Sequence, residues 1–198
     1  MLKLNRVLAG TVPLLLMTIL HATAAWAATT TREKTSQEDT YEKGTIIAEA
    51  TRFFGSGAKG IADVIGKVFS DQGRPDGYIE GREVSGALVL GARYGDGELV
   101  LKSGARRKVH WTGPSLGFDA GGDAVKVFTL VYHLKNPDDI YQRFPAVDGS
   151  LFWVAGISAN YQQSGNIILA PMRLGVGLRA GVNIGYMHYR RKASWNPF

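Results

Sequence analysis

Strand-length segments separated by glycine-containing turns fill the chain from residue 78 to residue 190, and this pattern restricts the possible folds more than any other feature. At 125–134 the side chains alternate between two largely apolar faces, which predicts a strand that is covered on both sides. Asp96-Gly97 is predicted to form a hairpin turn, because Asp-Gly accepts the positive φ angles of a type I′ turn. The sequence therefore predicts a mainly β protein, a small soluble antiparallel β-barrel of about eight strands.

One or two short N-terminal helices are predicted to pack on this barrel. Apolar residues recur at helical spacing over 44–71, and the glycines within 55–57 interrupt the periodicity. A further short helix is predicted near 137–144, where Asn136 provides an N-cap and Pro137 the first helical position.

The end of the sequence argues against a membrane-spanning barrel. Lipid-facing residues of such barrels are apolar at every second position and are flanked by aromatic girdles. Counting back by twos from Phe198 gives polar residues only, namely Asn196, Ser194, Lys192 and Arg190. We therefore expect the barrel to face water on its outside.

Residues 1–27 have the pattern of a cleavable signal peptide. Lys3 and Arg6 precede an apolar stretch at 7–20, and a small-x-small site predicts cleavage after Ala27. The apolar stretch is shorter than the ~20 residues of a membrane span, so we expect no transmembrane segment after cleavage. The sequence thus predicts export to the periplasm.

Behind the signal peptide we expect a flexible linker at 28–43 and a single domain at 44–198, with its barrel at 77–190. The sequence contains no cysteine, so an exported domain has to be held together by core burial rather than by disulfides. Removal of the signal peptide takes away two basic residues and lowers the formal charge from +6 to +4. This mild charge does not favour a nucleic-acid partner.

Gly113-Pro114-Ser115-Leu116-Gly117 matches the G-x-S-x-G pattern of the α/β-hydrolase nucleophile elbow. That elbow requires a sharp turn from a strand into a helix, whereas the residues that follow here predict a turn and another strand. The histidines at 110, 133 and 188 are scattered over separate predicted strands, without the convergent spacing of a zinc site. We expect no enzyme, no cofactor and no metal, and a serine hydrolase built on Ser115 is a remote alternative.

Aromatic and charged side chains on the predicted strands are the candidates for contact with a ligand or partner. The aromatic ones either line a cavity for an apolar ligand or fill the barrel as core. If the strand arginines face inward, their burial requires a partner such as Glu83, Asp119 or an anionic headgroup. The candidate interaction residues are Trp111, Phe118, Asp119, Phe128, Tyr132, Trp153, Arg173 and Arg179.

Several segments together resemble one known family. They are YIEG at 78–81, SGA at 85–87, RYG at 93–95, WTGPSLGFD at 111–119, VFTLVY at 127–132, VDGS at 147–150, PMRLGVGLR at 171–179 and the terminal PF at 197–198. On these segments the sequence is similar to the EipA-type envelope-integrity proteins, a periplasmic family of alphaproteobacteria. The resemblance implies a periplasmic β-barrel of about eight strands with a role in resisting envelope stress, and it brings no catalytic residues.

The function expected from these observations is non-enzymatic support of the cell envelope through binding of an envelope component, which is a lipid, a polysaccharide or an envelope protein. The alternative is a carrier that holds a lipid or another hydrophobic ligand in the barrel interior. An interior packed with side chains would favour the first function, and a connected apolar void would favour the second.

Overall fold

The computed structural model of the chain describes residues 39–55, 58–119, 124–174, 185–194 and 196, with the side chains at 86–90 and 115–119 outside the description. The described residues belong to one compact unit. The predictions for the signal peptide at 1–27, for most of the linker at 28–43 and for Arg179 fall outside the described residues.

The described residues form two α-helices, one short 3-10 helix and nine strands. The helices are α1 (Lys43–Phe54) and α2 (Ile61–Gln72), and the 3-10 helix is Pro137–Ile140. The strands are β1 (Gly77–Leu101), β2 (Arg106–Asp119), β3 (Val125–Tyr132), β4 (Arg143–Pro145), β5 (Phe152–Val154), β6 (Ile157–Ala159), β7 (Gln162–Ser164), β8 (Ile167–Leu174) and β9 (Tyr186–Arg190).

All strands pair in one antiparallel sheet with the order β4-β9-β2-β1-β3-β8-β6-β5, and β7 also pairs with β8. The sheet curls into a half-barrel, and its two sides are joined near β4 and β7. An antiparallel bridge joins Ala146, just after β4, to Gln162 in β7, and the Val147 N–H donates to the Tyr161 carbonyl at 2.9 Å. The predicted mainly β, barrel-like antiparallel fold with short N-terminal helices is confirmed.

The predicted hairpin turn at Asp96-Gly97 is wrong, because both residues lie inside the long strand β1. Asp96 pairs with His110 of β2, and the turn between these strands comes later, where the Leu101 N–H donates to the Ala105 carbonyl at 2.9 Å. The glycine serves close packing instead: a Cβ on Gly97 would collide with the Glu80 carbonyl oxygen. The start of β1 therefore approaches the end of the same strand, which requires a residue without a side chain.

Two hydrophobic cores lie on opposite faces of the sheet. On the outer face, α1 and α2 bury apolar side chains such as Ile46 and Val64 against Phe128 of β3. On the inner face, Val127 and Val131 of the same strand join a second cluster of buried apolar side chains, which lies inside the barrel. Because both faces of β3 are covered, its six residues from Val127 to Tyr132 are all buried, as the alternating sequence predicts.

The helix predicted near 137–144 is shorter than expected and ends at Ile140 as a 3-10 turn. The Asn136 side chain does accept a hydrogen bond from the Asp138 backbone N–H at 3.0 Å, as an N-cap does. The helix stops because Arg143–Pro145 pairs with β9, and this pairing buries Phe144 in the barrel interior. Tertiary packing overrides the local helical signal here.

No helix among the described residues combines the length and the hydrophobicity that crossing a bilayer would require.

Candidate functional site

A buried charge cluster lies inside the barrel, with the Glu83 carboxylate at its centre. Arg173 donates to both oxygens of this carboxylate, from Nε to Oε1 at 2.9 Å and from Nη2 to Oε2 at 3.1 Å. The indole Nε1 of Trp111 donates to Oε2 at 2.9 Å, and Arg93 Nη1 lies 3.7 Å from Oε1. Only 5% of the Glu83 side chain is exposed. The cluster is a bidentate, charge-assisted ion pair that is shielded from water.

Strand pairing brings the members of the charge cluster together from three strands, β1, β2 and β8. Glu83 lies opposite Val125 of β3, and Arg173 of β8 lies opposite Val127 of the same strand, so their side chains meet on the inner face. Trp111 reaches them from β2, where its pairing partner is Gly95. Its indole occupies the space that a Cβ on Gly95 would fill. Glycine at this position therefore makes room for the ring that donates to Glu83.

The charge cluster holds Glu83 in its ionised form. Burial by itself raises the pKa of this carboxyl, but the guanidiniums of Arg173 and Arg93 and the two hydrogen-bond donors outweigh burial and lower the pKa to about 2. Burial lowers the pKa of Arg173, and the Glu83 carboxylate more than compensates, so the net direction is upward. Neither group exchanges a proton near neutral pH, so the cluster does not have the properties of a general acid or base.

The sequence-predicted candidates separate into different parts of the fold. Trp111 and Arg173 come together in the charge cluster, and Arg173 has the partner, Glu83, that the sequence named for an inward-facing arginine. Phe128 and Tyr132 lie on the opposite face of the sheet, fully buried beneath the helices, so they form core rather than the lining of an interior cavity. Trp153 lies on β5 with 42% of its surface exposed.

Two of the remaining candidates, Phe118 and Asp119, are described only as backbone at the end of β2, where they pair with Leu88 and Ala87. Their side chains, like the whole of Arg179, fall outside the described residues. The Ser115 backbone pairs with Gly91 in the middle of β2, without a strand-to-helix turn. This position differs from that of a nucleophile elbow, in which the serine lies at such a turn.

A second feature, which the sequence did not predict, is a polar cleft of about 1010 Å³ at the other end of β3 and β8. One wall comes from the end of β3 and the 3-10 helix, and the other comes from the β7–β8 turn. The walls are joined by a hydrogen bond of 2.8 Å from Ser164 Oγ to Gln142 Oε1. The residues that line this polar cleft are His133, Lys135, Asp138, Asp139, Tyr141, Gln142, Gln163, Ser164, Gly165, Asn166, Ile167 and Ile168.

The arginine-rich end of the chain supports one wall of the polar cleft. Arg191 Nη2 contacts Asp138 Oδ2 at 2.8 Å, and its guanidinium lies 4.4 Å from the centre of the Tyr141 ring. The hydrogen bond from Arg191, aided by Arg107, lowers the pKa of Asp138. The basic segment at 190–192 is therefore partly engaged in holding this wall through Arg191.

The described residues do not include a group of side chains that could hold a metal ion. Among these residues, His, Asp and Glu side chains do not gather in groups of three or more at a spacing suited to a metal ion.

Comparison with known proteins extends the resemblance seen in the sequence. No curated protein matches the chain. A crystal structure of a beta-barrel-like, uncharacterized protein from Brucella abortus is similar to it, with 43% sequence identity and a TM-score of 0.74, and the match covers 81% of this chain and 99% of that one. Residues 39–198 match the family described as envelope integrity protein A. The chain belongs to the envelope integrity protein A family.

Proposed function

We propose that the protein is a non-enzymatic periplasmic component that supports the cell envelope by binding an envelope component on its outer surface. The observation that carries this proposal is the packing of the described part of the barrel interior with the chain's own side chains. Membership of the envelope integrity protein A family supplies the link to the envelope. Residues 1–27, with the pattern of a signal peptide, support the assignment to the periplasm.

The described interior leaves little space for a ligand. At one end, Leu99, Val131 and Phe144 belong to a cluster of fully buried apolar side chains. Further along the same interior, Trp111 and the Arg173–Glu83 ion pair occupy the space between the strands. A barrel of this size either fills its interior with side chains or holds a single small ligand, and the packing favours the filled form.

Carriage of a lipid in the interior has weaker support. A cleft with a mostly apolar lining, which includes Val84, Tyr94 and Trp111, has a volume of about 230 Å³. Pockets that enclose small-molecule ligands occupy roughly 300–1,000 Å³, so this cleft is too small for a whole acyl chain. Surface binding is thus the better explanation for an envelope role.

The proposal is tested in a strain that lacks the gene and is challenged with a detergent and a cell-wall antibiotic. The full chain is expected to restore growth and to be recovered from the periplasmic fraction with Ala28 as its first residue. A chain without residues 2–27 is expected to stay in the cytoplasm and not to restore growth. Rescue by this cytoplasmic form would contradict the proposed location.

The non-enzymatic part of the proposal has its own control. Ser115→Ala is expected to restore growth as well as the full chain does, and the pure protein is expected not to react with a fluorophosphonate probe. Labelling of the folded protein that is lost in Ser115→Ala would establish a serine hydrolase instead.

A further inference from the structure

The polar cleft at the end of β3 and β8 differs from the barrel interior in its chemistry. Its exposed side chains include the amides of Gln163 and Asn166, the carboxylate of Asp139 and the ammonium of Lys135. An amide both donates and accepts hydrogen bonds, as a sugar hydroxyl does, so amides can follow a chain of hydroxyl groups whatever their orientation. The lining exposes slightly more polar than apolar area, so it matches a ligand with both hydroxyl groups and C–H faces better than it matches a lipid tail.

The charge of the polar cleft also limits its ligands. Asp138 is neutralised by ion pairs with Arg107 at 3.4 Å and Arg191 at 2.8 Å. The remaining charged groups in the lining, Lys135 and Asp139, have opposite signs. Because Asp138 is already paired with two guanidiniums, a phosphate would meet one lysine and one uncompensated carboxylate, Lys135 and Asp139. The lining therefore offers no concentrated positive charge to hold an anion, and an uncharged ligand is a better match.

The walls of the polar cleft are fixed before any ligand arrives. The Tyr141 hydroxyl donates to the Lys108 carbonyl at 3.0 Å, and Gln163 Nε2 donates to the Gly165 carbonyl at 2.9 Å. Together with the bond between Ser164 and Gln142, these contacts hold both walls in place, which lowers the entropy lost on binding. His133 reaches the cleft from a left-handed backbone conformation with φ of 60°, a strained geometry that is common at binding sites.

We propose that the polar cleft binds an uncharged, hydroxyl-rich sugar chain of the cell envelope. This inference rests on the proposed function and names the ligand class and the surface. The volume of about 1010 Å³ accommodates several linked sugar rings rather than one. Two envelope sources contain uncharged, hydroxyl-bearing sugar residues: the polysaccharide of lipopolysaccharide and the glycan chain of peptidoglycan, in which every second sugar, N-acetylglucosamine, is neutral.

The test measures binding of the full mature chain to three probes: delipidated polysaccharide released from lipopolysaccharide by mild acid, soluble glycan strands from digested peptidoglycan, and vesicles of anionic phospholipid. Saturable binding to one of the two glycans, with amide chemical shifts that change around 133–142 and 163–168, is the expected result. The two glycan arms identify the source. Binding to the vesicles alone, or to none of the probes, would overturn the inference.

Two variants assign the binding to the polar cleft. Gln163→Ala combined with Asn166→Ala is expected to weaken glycan binding about tenfold or more, because two hydrogen-bonding side chains are lost. Both residues are exposed, so the fold is expected to persist. Gln72→Ala, which removes an amide from the end of α2, is the matched control and is expected to bind like the wild type. Equal affinities for all three proteins would place the binding elsewhere and overturn the inference.

Failure of this inference is distinguishable from failure of the proposed function. If the wild-type chain restores growth of the deletion strain but binds neither glycan, the sugar ligand is wrong and the envelope role persists. If the chain does not restore growth at all, the proposed function itself fails.

Discussion

Replacing Glu83 by glutamine removes the negative charge to which Arg173 donates twice and which lies 3.7 Å from Arg93. Breaking a buried ion pair by neutralising one partner costs about 3–5 kcal/mol, because the other charge stays buried without compensation. The lowering of the Glu83 pKa from 4.5 to about 2 gives a similar magnitude, about 3–4 kcal/mol at roughly 1.4 kcal/mol for each pH unit. Domains of this size are stable by about 5–15 kcal/mol, so the loss is large.

Urea denaturation followed by circular dichroism measures this loss as a decrease in the free energy of unfolding. In a thermal scan of the same variant, the melting temperature is expected to fall by roughly 6–20 °C. Glu98→Gln is the matched control, since it neutralises a carboxylate on the same strand whose ion pair with Arg106 is about half exposed. Its expected cost is at most about 1 kcal/mol. If Glu83→Gln destabilised the protein no more than Glu98→Gln, the charge cluster would not stabilise the fold as its geometry indicates.

The stability difference between wild type and Glu83→Gln is also expected to depend on pH. Because the folded pKa of Glu83 lies below its unfolded value of about 4.5, the charge contributes fully above that value, and its contribution is lost as the pH falls toward about 2. The difference in the free energy of unfolding should therefore be constant above about pH 5 and shrink at lower pH. A difference that stays constant down to pH 2.5 would refute the assigned direction of the pKa.

Gly81→Ala is expected to destabilise the fold by about 1–3 kcal/mol, because the new methyl group would collide with the Asp96 carbonyl and the Trp111 ring. Gly66→Ala, which adds a methyl group into open space on α2, is expected to stabilise the fold by up to about 1 kcal/mol. If Gly81→Ala and Gly66→Ala changed the free energy of unfolding in the same direction, the packing described for β1 would be contradicted. Phe128→Ala is expected to cost about 3–5 kcal/mol, since the ring is fully buried against the helices. Trp153→Ala, at an exposed position, should change the free energy of unfolding by about 0.5 kcal/mol or less. Equal costs for Phe128→Ala and Trp153→Ala in the same urea titrations would contradict the outer core described above.

The parts of the fold that the sequence predicts are those in which local pattern and tertiary packing agree. The alternation at 125–134 predicts a doubly covered strand, and β3 does separate the helices from the barrel interior. The glycines of β1 show where a local signal fails. Asp96-Gly97 has the composition of a turn, but the close approach of Glu80 explains the glycine, and this contact joins residues that are far apart along the strand.

The candidate site residues also divide into those that the sequence could predict and those that depend on tertiary packing. The pairing of Arg173 with Glu83 was among the possibilities the sequence offered, because an inward-facing arginine needs a carboxylate and few are available on the strands. The faces of the aromatic residues were not predictable, since they depend on the positions of the helices. The polar cleft was missed because its two walls come from segments more than 20 residues apart, and their proximity depends on the pairing of β3 with β8.

Native mass spectrometry of protein released from its own periplasm tests most directly whether the barrel interior is occupied by the chain itself. Since Leu99, Val131 and Phe144 fill one end and Trp111 and Arg173 occupy the space beside it, the expected spectrum shows the mass of the mature polypeptide without a bound lipid. A stoichiometric species heavier by one phospholipid or fatty acid, persisting through purification without detergent, would contradict surface binding and establish a carrier.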